Sequence, residues 1–253
     1  MVKPIVLITG ATAGIGEATA RLLASLKYPL IICGRRKDRL KALKSECQNH
    51  TQVFDLSFDI TDRTAVSNAL ESLPAEWQNI GVLINNAGNA HGLDPIQTGN
   101  PDDWDAMMDG NVKGLLYVSK SIIQNMIKQN KGGHIINIGS IAGKEVYPNG
   151  NVYCASKFAV DALTKGMRID LNPYGIKVTG IHPGMVETEF SLVRFKGNTE
   201  KAAQVYKGFE PLKANDIAET IRYVLEAPSH VQLADITILP TAQASATVVK
   251  RAI

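Results

Sequence analysis

The sequence predicts an α/β protein, built as a single domain around a doubly wound parallel sheet of seven strands with helices on both faces. Seven short apolar runs rich in β-branched residues lie along the chain, and segments with helical spacing separate them. This alternation is typical of a parallel sheet that is covered on both faces. The chain has 253 residues, of which 45% are apolar, so we expect residues 1–253 to share one large core.

The elements follow one another in a regular order. Strands are predicted for the β-rich runs at residues 5–8, 30–33, 53–56, 82–84, 135–138, 176–179 and 235–238. Helices are predicted where apolar residues recur every three to four positions, at residues 18–26, 40–47, 66–73, 104–127, 152–171 and 217–225. Residues 185–208 mix turn-like and helical signals, so we expect an insertion there that covers a site, and not a second domain.

Charge and cysteine content exclude several classes of protein. The 27 basic residues exceed the 24 acidic ones by three and are scattered, so neither nucleic acid nor a membrane is an expected partner. No apolar stretch approaches the roughly 18 residues that span a bilayer, and the run at residues 5–8 is too short for a secretion signal. Cys33, Cys47 and Cys154 form no CxxC pair. They favour reduced thiols in a cytoplasmic protein, and no metal site is predicted.

A glycine-rich loop follows the first predicted strand. Gly10, Gly14 and Gly16 have the spacing GxxxGxG, and a helical pattern starts directly afterwards. Glycines let the backbone approach a pyrophosphate, and the free N–H groups of a helix start attract its charge. The spacing differs from the commoner GxGxxG, and a tight turn without a ligand is the alternative.

The second strand is followed by Arg35 and Arg36. An NAD site usually has an acidic residue at this place to bind the ribose hydroxyls, whereas arginine suits a 2′-phosphate. The pair therefore favours NADP over NAD, although a solvated helix start would also explain it. Asp59 and Ile60 follow the third strand, where a carboxylate could meet the adenine amino group. The fourth strand is followed by Asn86, Ala87 and Gly88, which could line the same cleft or simply form turns.

A candidate catalytic group follows the fifth strand. Ser140 comes directly after it, and Tyr153 and Lys157 lie on the next predicted helix, four residues apart and therefore on one face. A lysine about 4 Å from a phenol could lower the tyrosine pKa from about 10 toward about 7, the range that a general acid–base needs. A chance pair on an amphipathic helix and a serine capping a turn are the alternatives.

Taken together, these motifs resemble the short-chain dehydrogenase/reductase family over essentially the whole chain. The resemblance implies a Rossmann fold in which Tyr153 is the acid–base, Ser140 holds the substrate oxygen, and Lys157 binds the nicotinamide ribose and lowers the tyrosine pKa. Asn111 would support a water in a proton relay, and Thr188 would contact the nicotinamide carboxamide. By the same resemblance, the remaining cofactor contacts are expected from Thr12, Ile15, Pro183, Gly184 and Val186.

Three further stretches, residues 72–77, 150–153 and 190–197, are similar to the branch of NADP-dependent 3-hydroxy acid dehydrogenases that includes serine 3-dehydrogenases. This implies substrates such as L-serine, L-allo-threonine or 3-hydroxypropionate. Arg194 is the expected partner of the substrate carboxylate and Lys196 the second candidate, unless both are exposed charges. Residues 239–253 have no evident site role, and by resemblance they pack between the subunits of a homotetramer.

Three alternatives stay open at this point. A broad carbonyl reductase and a 3-oxoacyl-carrier-protein reductase have the same fold and the same catalytic residues. A non-catalytic NADP-sensing protein would keep the glycine-rich loop but has no need of Ser140, Tyr153 and Lys157. Activity on free hydroxy acids would distinguish a 3-hydroxy acid dehydrogenase from these three alternatives.

Overall fold

The computed structural model describes residues 3–252, so Met1, Val2 and Ile253 lie outside the described residues. Its central strands are β1 (Ile5–Ile8), β2 (Leu30–Gly34), β3 (Val53–Ser57), β4 (Ile80–Asn85), β5 (Gly133–Ile138), β6 (Ile176–Pro183) and β9 (Asp235–Ile238). All pair in parallel, in the spatial order β3-β2-β1-β4-β5-β6-β9. Crossover connections of this kind put helices on both faces of a sheet, and the predicted fold class is confirmed.

Helices connect the strands. They are α1 (Gly14–Ser25), α2 (Lys37–Cys47), α3 (Arg63–Glu71), α4 (Pro101–Met108), α5 (Leu115–Gln129), α6 (Asn151–Leu171), α7 (Phe190–Arg194), α8 (Thr199–Gln204) and α9 (Ala214–Glu226). Two short strands, β7 (Val186–Glu187) and β8 (Leu212–Lys213), pair in parallel outside the main sheet. The region around the expected insertion therefore has its own short elements.

The core is divided by the sheet into two layers. Successive side chains of a strand point to opposite faces, and in β1 the fully buried Val6 and Ile8 join one apolar cluster whereas Leu7 joins the other. The first cluster includes Ile217 of α9 and the second includes Ile122 of α5. Because both faces of the strand are covered, β1 is a continuous apolar run and not an alternating one.

One predicted helix has an irregular centre. The pattern over residues 104–127 predicts a single helix, but the structure places a π-helical segment, Asp109–Gly114, between α4 and α5. A π-helical turn accommodates one extra residue while the apolar face on either side is kept, and such turns are frequent at functional sites. Asn111 lies in this segment.

The parallel arrangement brings the carboxyl ends of the central strands to one edge of the sheet. In open α/β sheets, ligands bind at this edge. None of the helices within residues 3–252 is both long and apolar enough to cross a membrane.

Candidate active site

A cleft of about 650 Å³ opens at the carboxyl ends of the strands. The sequence-predicted residues that line it are Gly10, Thr12, Gly14, Ile15, Arg35, Arg36, Asp59, Ile60, Asn86, Ala87, Gly88, Ser140, Tyr153, Lys157, Pro183, Gly184, Val186, Thr188 and Arg194. Loops from one end of the chain to the other therefore meet in one place, as the strand order requires.

Gly16 and Asn111 do not line the cleft. A Cβ atom on Gly16 would lie 2.4 Å from Asn86 Nδ2 and 2.4 Å from the carbonyl oxygen of Gly10. Gly16 therefore lets α1 pack closely against the loop, and its contact with the cofactor stays a prediction. Asn111 is buried just behind the wall of the cleft.

The glycine-rich loop is shaped to present N–H groups. Gly10 and Gly14 adopt positive φ angles of +65° and +53°, which residues with a Cβ rarely adopt. α1 begins at Gly14, and Ala13 before it offers no side-chain cap. The first N–H groups of the helix are consequently not capped by a side chain and lie beside the cleft, where an anion is stabilised by them and by the helix dipole.

Asn86 braces this loop. Its Nδ2 donates hydrogen bonds to the carbonyl oxygens of Thr9 (2.9 Å) and Gly10 (3.1 Å). In return, Thr9 Oγ1 accepts from the backbone N–H groups of Asn86 and Ala87, both at 3.0 Å. A Cβ on Gly10 would lie only 2.8 Å from the Cα of Ala87. The open floor formed where β1 and β4 end therefore fits a dinucleotide that must approach the backbone closely.

The basic residues after β2 differ in their surroundings. Arg35 is exposed and forms an ion pair with Asp59 at 3.3 Å. The other oxygen of Asp59 accepts from the backbone N–H of Thr61 (3.0 Å) and from its hydroxyl (2.9 Å), so its carboxylate is already engaged at the place where an adenine contact was expected. Arg36 lies against the loop and donates from Nε to Thr12 Oγ1 at 3.1 Å and from Nη2 to the Thr12 carbonyl oxygen at 3.1 Å. Two guanidinium groups thus stand at the end of β2, where a phosphate monoester would find paired donors.

Tyr153 and Lys157 lie on α6, and both are buried against the cleft. Burial raises the pKa of Tyr153 well above its usual range, whereas a hydrogen bond with Ser140 and the charge of Arg194 act in the opposite direction. The predicted lowering of the tyrosine pKa by Lys157 is therefore wrong for this structure. The physical reason is that desolvation of the phenol dominates, and the charges that act on it are those of other groups than Lys157, whose Nζ donates to the carbonyl oxygen of Ile138 at 3.0 Å.

Lys157 remains a strong local charge at neutral pH. Burial lowers its pKa to about 8, so the ammonium form predominates below that pH. A Cβ built on Gly88 would lie 3.6 Å from Lys157 Nζ and 2.9 Å from Asn111 Oδ1. Lys157 and Asn111 therefore both lie next to Gly88 in the wall of the cleft.

Asn111 holds the loop after β4 from behind. Its Oδ1 accepts from the backbone N–H of Asn89 at 2.7 Å, and its Nδ2 donates to the Asn89 carbonyl oxygen and to Ser156 Oγ, both at 2.9 Å. The π-helical turn carries Asn111 to this position, because it displaces the chain relative to a regular helix. Asn111 is therefore placed to hold the backbone of Asn89 beside Gly88, and its role in a proton relay stays a prediction.

The opposite wall carries Arg194 of α7. Its guanidinium carbon lies 5.3 Å from the ring centroid of Tyr153 and 5.5 Å from that of Tyr147. Arg194 Nε donates to the carbonyl oxygen of Gly92 at 3.1 Å, and Nη2 donates to the Tyr147 hydroxyl at 2.8 Å. Lys196, the second candidate, turns away from the cleft and pairs with Asp103 at 3.0 Å.

Several cleft residues were missed by the sequence analysis. They include Tyr147, Glu189, Gln243, Ala246 and Arg251. Tyr147 stands in a loop that has no period, and the last three belong to the tail for which no site role was expected. Gln243 Oε1 accepts from the backbone N–H of Met185 at 2.9 Å, so the tail is part of the wall beside Gly184. Arg39 lies one helical turn beyond Arg35, and its place in a basic stretch of the sequence could have indicated it. Its Nη1 donates to the Thr12 carbonyl oxygen at 3.4 Å.

Comparison with known proteins adds independent findings. The family model described as short chain dehydrogenase matches residues 4–198. An NADP-dependent 3-hydroxy acid dehydrogenase of Salmonella typhi is 43% identical over 243 residues, which cover 96% of this chain and 97% of the relative. Sulfoacetaldehyde reductase 2 of Chromohalobacter salexigens is 41% identical over 240 residues, 95% of each chain.

A solved structure described as the closed form of serine dehydrogenase complexed with NADP⁺ has a TM-score of 0.91 to this chain and is 41% identical to it; the similarity covers 98% of this chain and 100% of that chain. The family model spans more than half of the residues, and the relatives are similar over nearly their whole length. A glycine-rich loop, a serine, a tyrosine and a lysine meet in one cleft of the same fold. The chain therefore belongs to the short chain dehydrogenase family.

Proposed function

We propose that this enzyme is an NADP-dependent oxidoreductase that interconverts small 3-hydroxy acids and the corresponding 3-oxo acids by hydride transfer. The observation that carries the proposal is the position of the Arg194 guanidinium over the ring of Tyr153, at 5.3 Å. A cation beside the proton-transferring group selects a substrate that has an anionic group close to the reacting carbon.

NADP is the cofactor that the donor set of the cleft fits. The loop around Gly14 and the start of α1 would hold the diphosphate, Arg35 and Arg36 would hold the 2′-phosphate, and Lys157 would hold the nicotinamide ribose. When bound, NADP supplies the hydride acceptor for oxidation, and its reduced form supplies the donor for reduction. The NADP-dependent relative and the serine dehydrogenase complexed with NADP⁺ support this choice.

Tyr153 exchanges the proton. In oxidation its oxygen accepts the proton of the substrate hydroxyl, and in reduction its phenol returns that proton to the carbonyl oxygen. Burial favours the neutral phenol, the form that reduction requires, while the Ser140 hydrogen bond and the Arg194 charge stabilise the phenolate. Ser140 Oγ accepts from the Ala142 N–H at 3.1 Å, which fixes the serine oxygen where its one hydroxyl proton can bind either the Tyr153 oxygen or, in its place, the substrate oxygen.

Arg194 is arranged as a receptor for an anion. Its Nε and Nη2 are held by Gly92 and Tyr147, so the guanidinium group is fixed before a ligand arrives. Among residues 3–252, no carboxylate forms an ion pair with it. A partly buried guanidinium without a counter-ion in a substrate cleft favours an acidic substrate over the neutral ketones of a broad carbonyl reductase.

Replacing Arg194 by methionine tests the proposal. The variant keeps most of the side-chain volume but loses the charge-assisted hydrogen bonds, so we expect KM for 3-hydroxy acids such as L-serine, L-allo-threonine and 3-hydroxypropionate to rise about 10- to 100-fold. Reduction of a neutral ketone should change little. Steady-state kinetics with NADP and with NAD, followed by nicotinamide absorbance, gives both quantities.

Lys196→Met is the matched control, because Lys196 lies on the same segment and pairs outside the cleft with Asp103. Its KM for hydroxy acids should equal that of the unmodified enzyme. Equal losses on acids and on the neutral ketone in the Arg194 variant would show that Arg194 acts through Tyr153 or the fold and does not bind the substrate carboxylate, which would contradict the proposed role. Activity on acyl-carrier-protein thioesters, with none on free hydroxy acids, would contradict the proposed substrate class.

We further propose that residues 1–253 act as one cytoplasmic catalytic domain in which residues 185–208 cover the substrate, and that the enzyme works as a homotetramer. Arg194 and Val186 of that segment line the cleft, which supports a covering role. The three cysteines are free and buried, as suits a reducing compartment. Phe158 and Ile169 of α6 are exposed apolar side chains that a subunit contact would cover.

A further inference from the structure

Glu189 connects the segment that carries Arg194 to the arginines at the end of β2. Its Oε2 lies 3.0 Å from Arg36 Nη1 and its Oε1 lies 2.7 Å from Arg39 Nη1. Hydrogen bonds from Arg39 and Arg36 hold the pKa of Glu189 below its usual range, so the carboxylate is ionised at neutral pH. A single anion of the protein is therefore shared by two guanidinium groups beside the glycine-rich loop.

The donors of Arg36 are largely used in this arrangement. Nε and Nη2 are held by Thr12, and Nη1 is held by Glu189. A phosphate monoester that binds at Arg36 and Arg39 competes with Glu189 for these cations, since a carboxylate and a phosphate carry the same sign of charge and repel one another at one site.

Glu189 also lies between the glycine-rich loop and the helix that contacts Tyr153. It directly precedes α7, whose first residue Phe190 has its ring centroid 5.6 Å from that of Tyr153. Thr188, the residue before Glu189, packs against Gly14. A Cβ built on Gly14 would lie 3.2 Å from the Cβ of Thr188. The ion pairs of Glu189 therefore tie the start of α7 to the expected phosphate site.

We infer that Glu189 is an internal competitor for the 2′-phosphate: it holds Arg36 and Arg39 in the free enzyme, and a bound 2′-phosphate displaces it and releases the start of α7 from the loop. The inference rests on the proposed NADP specificity and adds Arg39 to the phosphate-binding residues. Binding of the 2′-phosphate would then change the position or mobility of the segment that carries Arg194.

Glu189→Gln tests the competition without removing side-chain volume. The probes are 2′,5′-ADP, which has the 2′-phosphate, and 5′-AMP, which lacks it. An exposed ion pair contributes at most about 1 kcal/mol, so isothermal titration calorimetry of the variant should show binding of 2′,5′-ADP about 3-fold tighter and binding of 5′-AMP unchanged. Glu187→Gln is the matched control, because Glu187 lies two residues away and pairs with Lys213.

Hydrogen exchange gives a second readout. In the unmodified enzyme, 2′,5′-ADP should increase exchange of the amides at residues 189–195, whereas 5′-AMP should not, and Glu189→Gln should exchange faster already without ligand. Weaker or equal binding of 2′,5′-ADP by the variant would overturn the inference, because Glu189 would then merely orient the arginines. If the unmodified enzyme binds both probes equally, the proposed NADP specificity itself fails, which is a separate outcome.

Discussion

At the scale of single residues, the site works by placing charge around a buried phenol. Tyr153 is packed between the Arg194 guanidinium and the ring of Phe190, with Ser140 at its oxygen. Burial strongly favours the neutral phenol, and the cation and the hydrogen bond offset only part of this effect by stabilising the ionised form. The phenol is therefore in the form that can donate its proton to a carbonyl oxygen.

Tyr153→Phe removes only the hydroxyl oxygen and should abolish turnover. General acid–base groups typically contribute about 10²- to 10⁴-fold to the rate, and we expect a loss of at least this order in kcat. NADPH binding, measured by the change in its fluorescence, should stay nearly unchanged because the ring still fills its place in the wall. Substantial turnover in this variant would assign the proton transfer to another group.

The site residues that could be predicted are those that stand at a characteristic spacing in the sequence on or beside a predicted helix or strand. Tyr153 and Lys157 share a helix face, and Gly10 and Gly14 stand between a strand and a helix, so pattern and position indicate them together. Tyr147 could not be predicted in this way, because it lies in a loop and its contact with Arg194 of α7 joins positions far apart in the sequence. Such contacts depend on the tertiary fold and have no local signal.

At the scale of elements, strand positions could be predicted to within a few residues because a buried parallel strand is an apolar run with sharp ends. Helix boundaries were less certain, since the first turn is set by caps: Asp62 accepts from the N–H groups of Thr64 and Ala65, both at 2.9 Å, and so starts α3 before its apolar pattern begins. The π-helical turn at Asp109–Gly114 has no period of its own, which is why a single helix was expected there.

The glycine-rich loop gives a prediction at this scale. Gly10→Ala puts a Cβ 2.8 Å from the Cα of Ala87 at a φ of +65°, and such strain costs about 1–3 kcal/mol. We expect a lower Tm in thermal unfolding and weaker binding of NADPH. Gly166→Ala is the control, since nothing lies within 4 Å of its Cβ and the site is in α6; alanine there should be neutral or slightly stabilising. A Tm equal to that of the unmodified protein for Gly10→Ala would contradict the assigned strain.

At the scale of the whole molecule, buried ionisable groups couple the fold to pH. Asp161 and Asp235 share the ammonium group of Lys144 at 2.7 Å and 2.8 Å, and His182 lies beside them in the interior. These carboxylates and the histidine are close enough to share a metal ion, but Lys144 already supplies a cation at this place. The cluster therefore serves the packing of α6 against β6 and β9.

His134 makes the pH dependence measurable. Burial lowers its pKa to about 3 from a usual value of about 6.5, so the unfolded state binds more protons between these values. Above pH 6.5, His134 does not reduce the free energy of unfolding. As the pH falls toward 3, proton uptake by His134 in the unfolded state lowers that free energy by up to about 5 kcal/mol. His134→Gln, which can keep the contact with Thr179 Oγ1 (2.9 Å), should flatten the acid limb of a plot of unfolding free energy against pH.

Burial also lowers the pKa of His182, so part of the acid sensitivity should persist in the His134 variant. His230→Gln, at an exposed position, is the control and should leave the curve unchanged. An identical acid limb in the His134 variant and the unmodified protein would mean that this histidine takes up its proton without opening the fold.

The wall formed by Gln243, Ala246 and Arg251 has a consequence for biosynthesis. Domains fold while the ribosome is still extending them, and a nascent chain that has emerged as far as β9 already contains every strand of the sheet. It still lacks the amide that holds Met185 and the guanidinium group that holds Val205. Such a chain can collapse into its layered core, but it gains a finished cleft only when Gln243 and Arg251 have also left the exit tunnel.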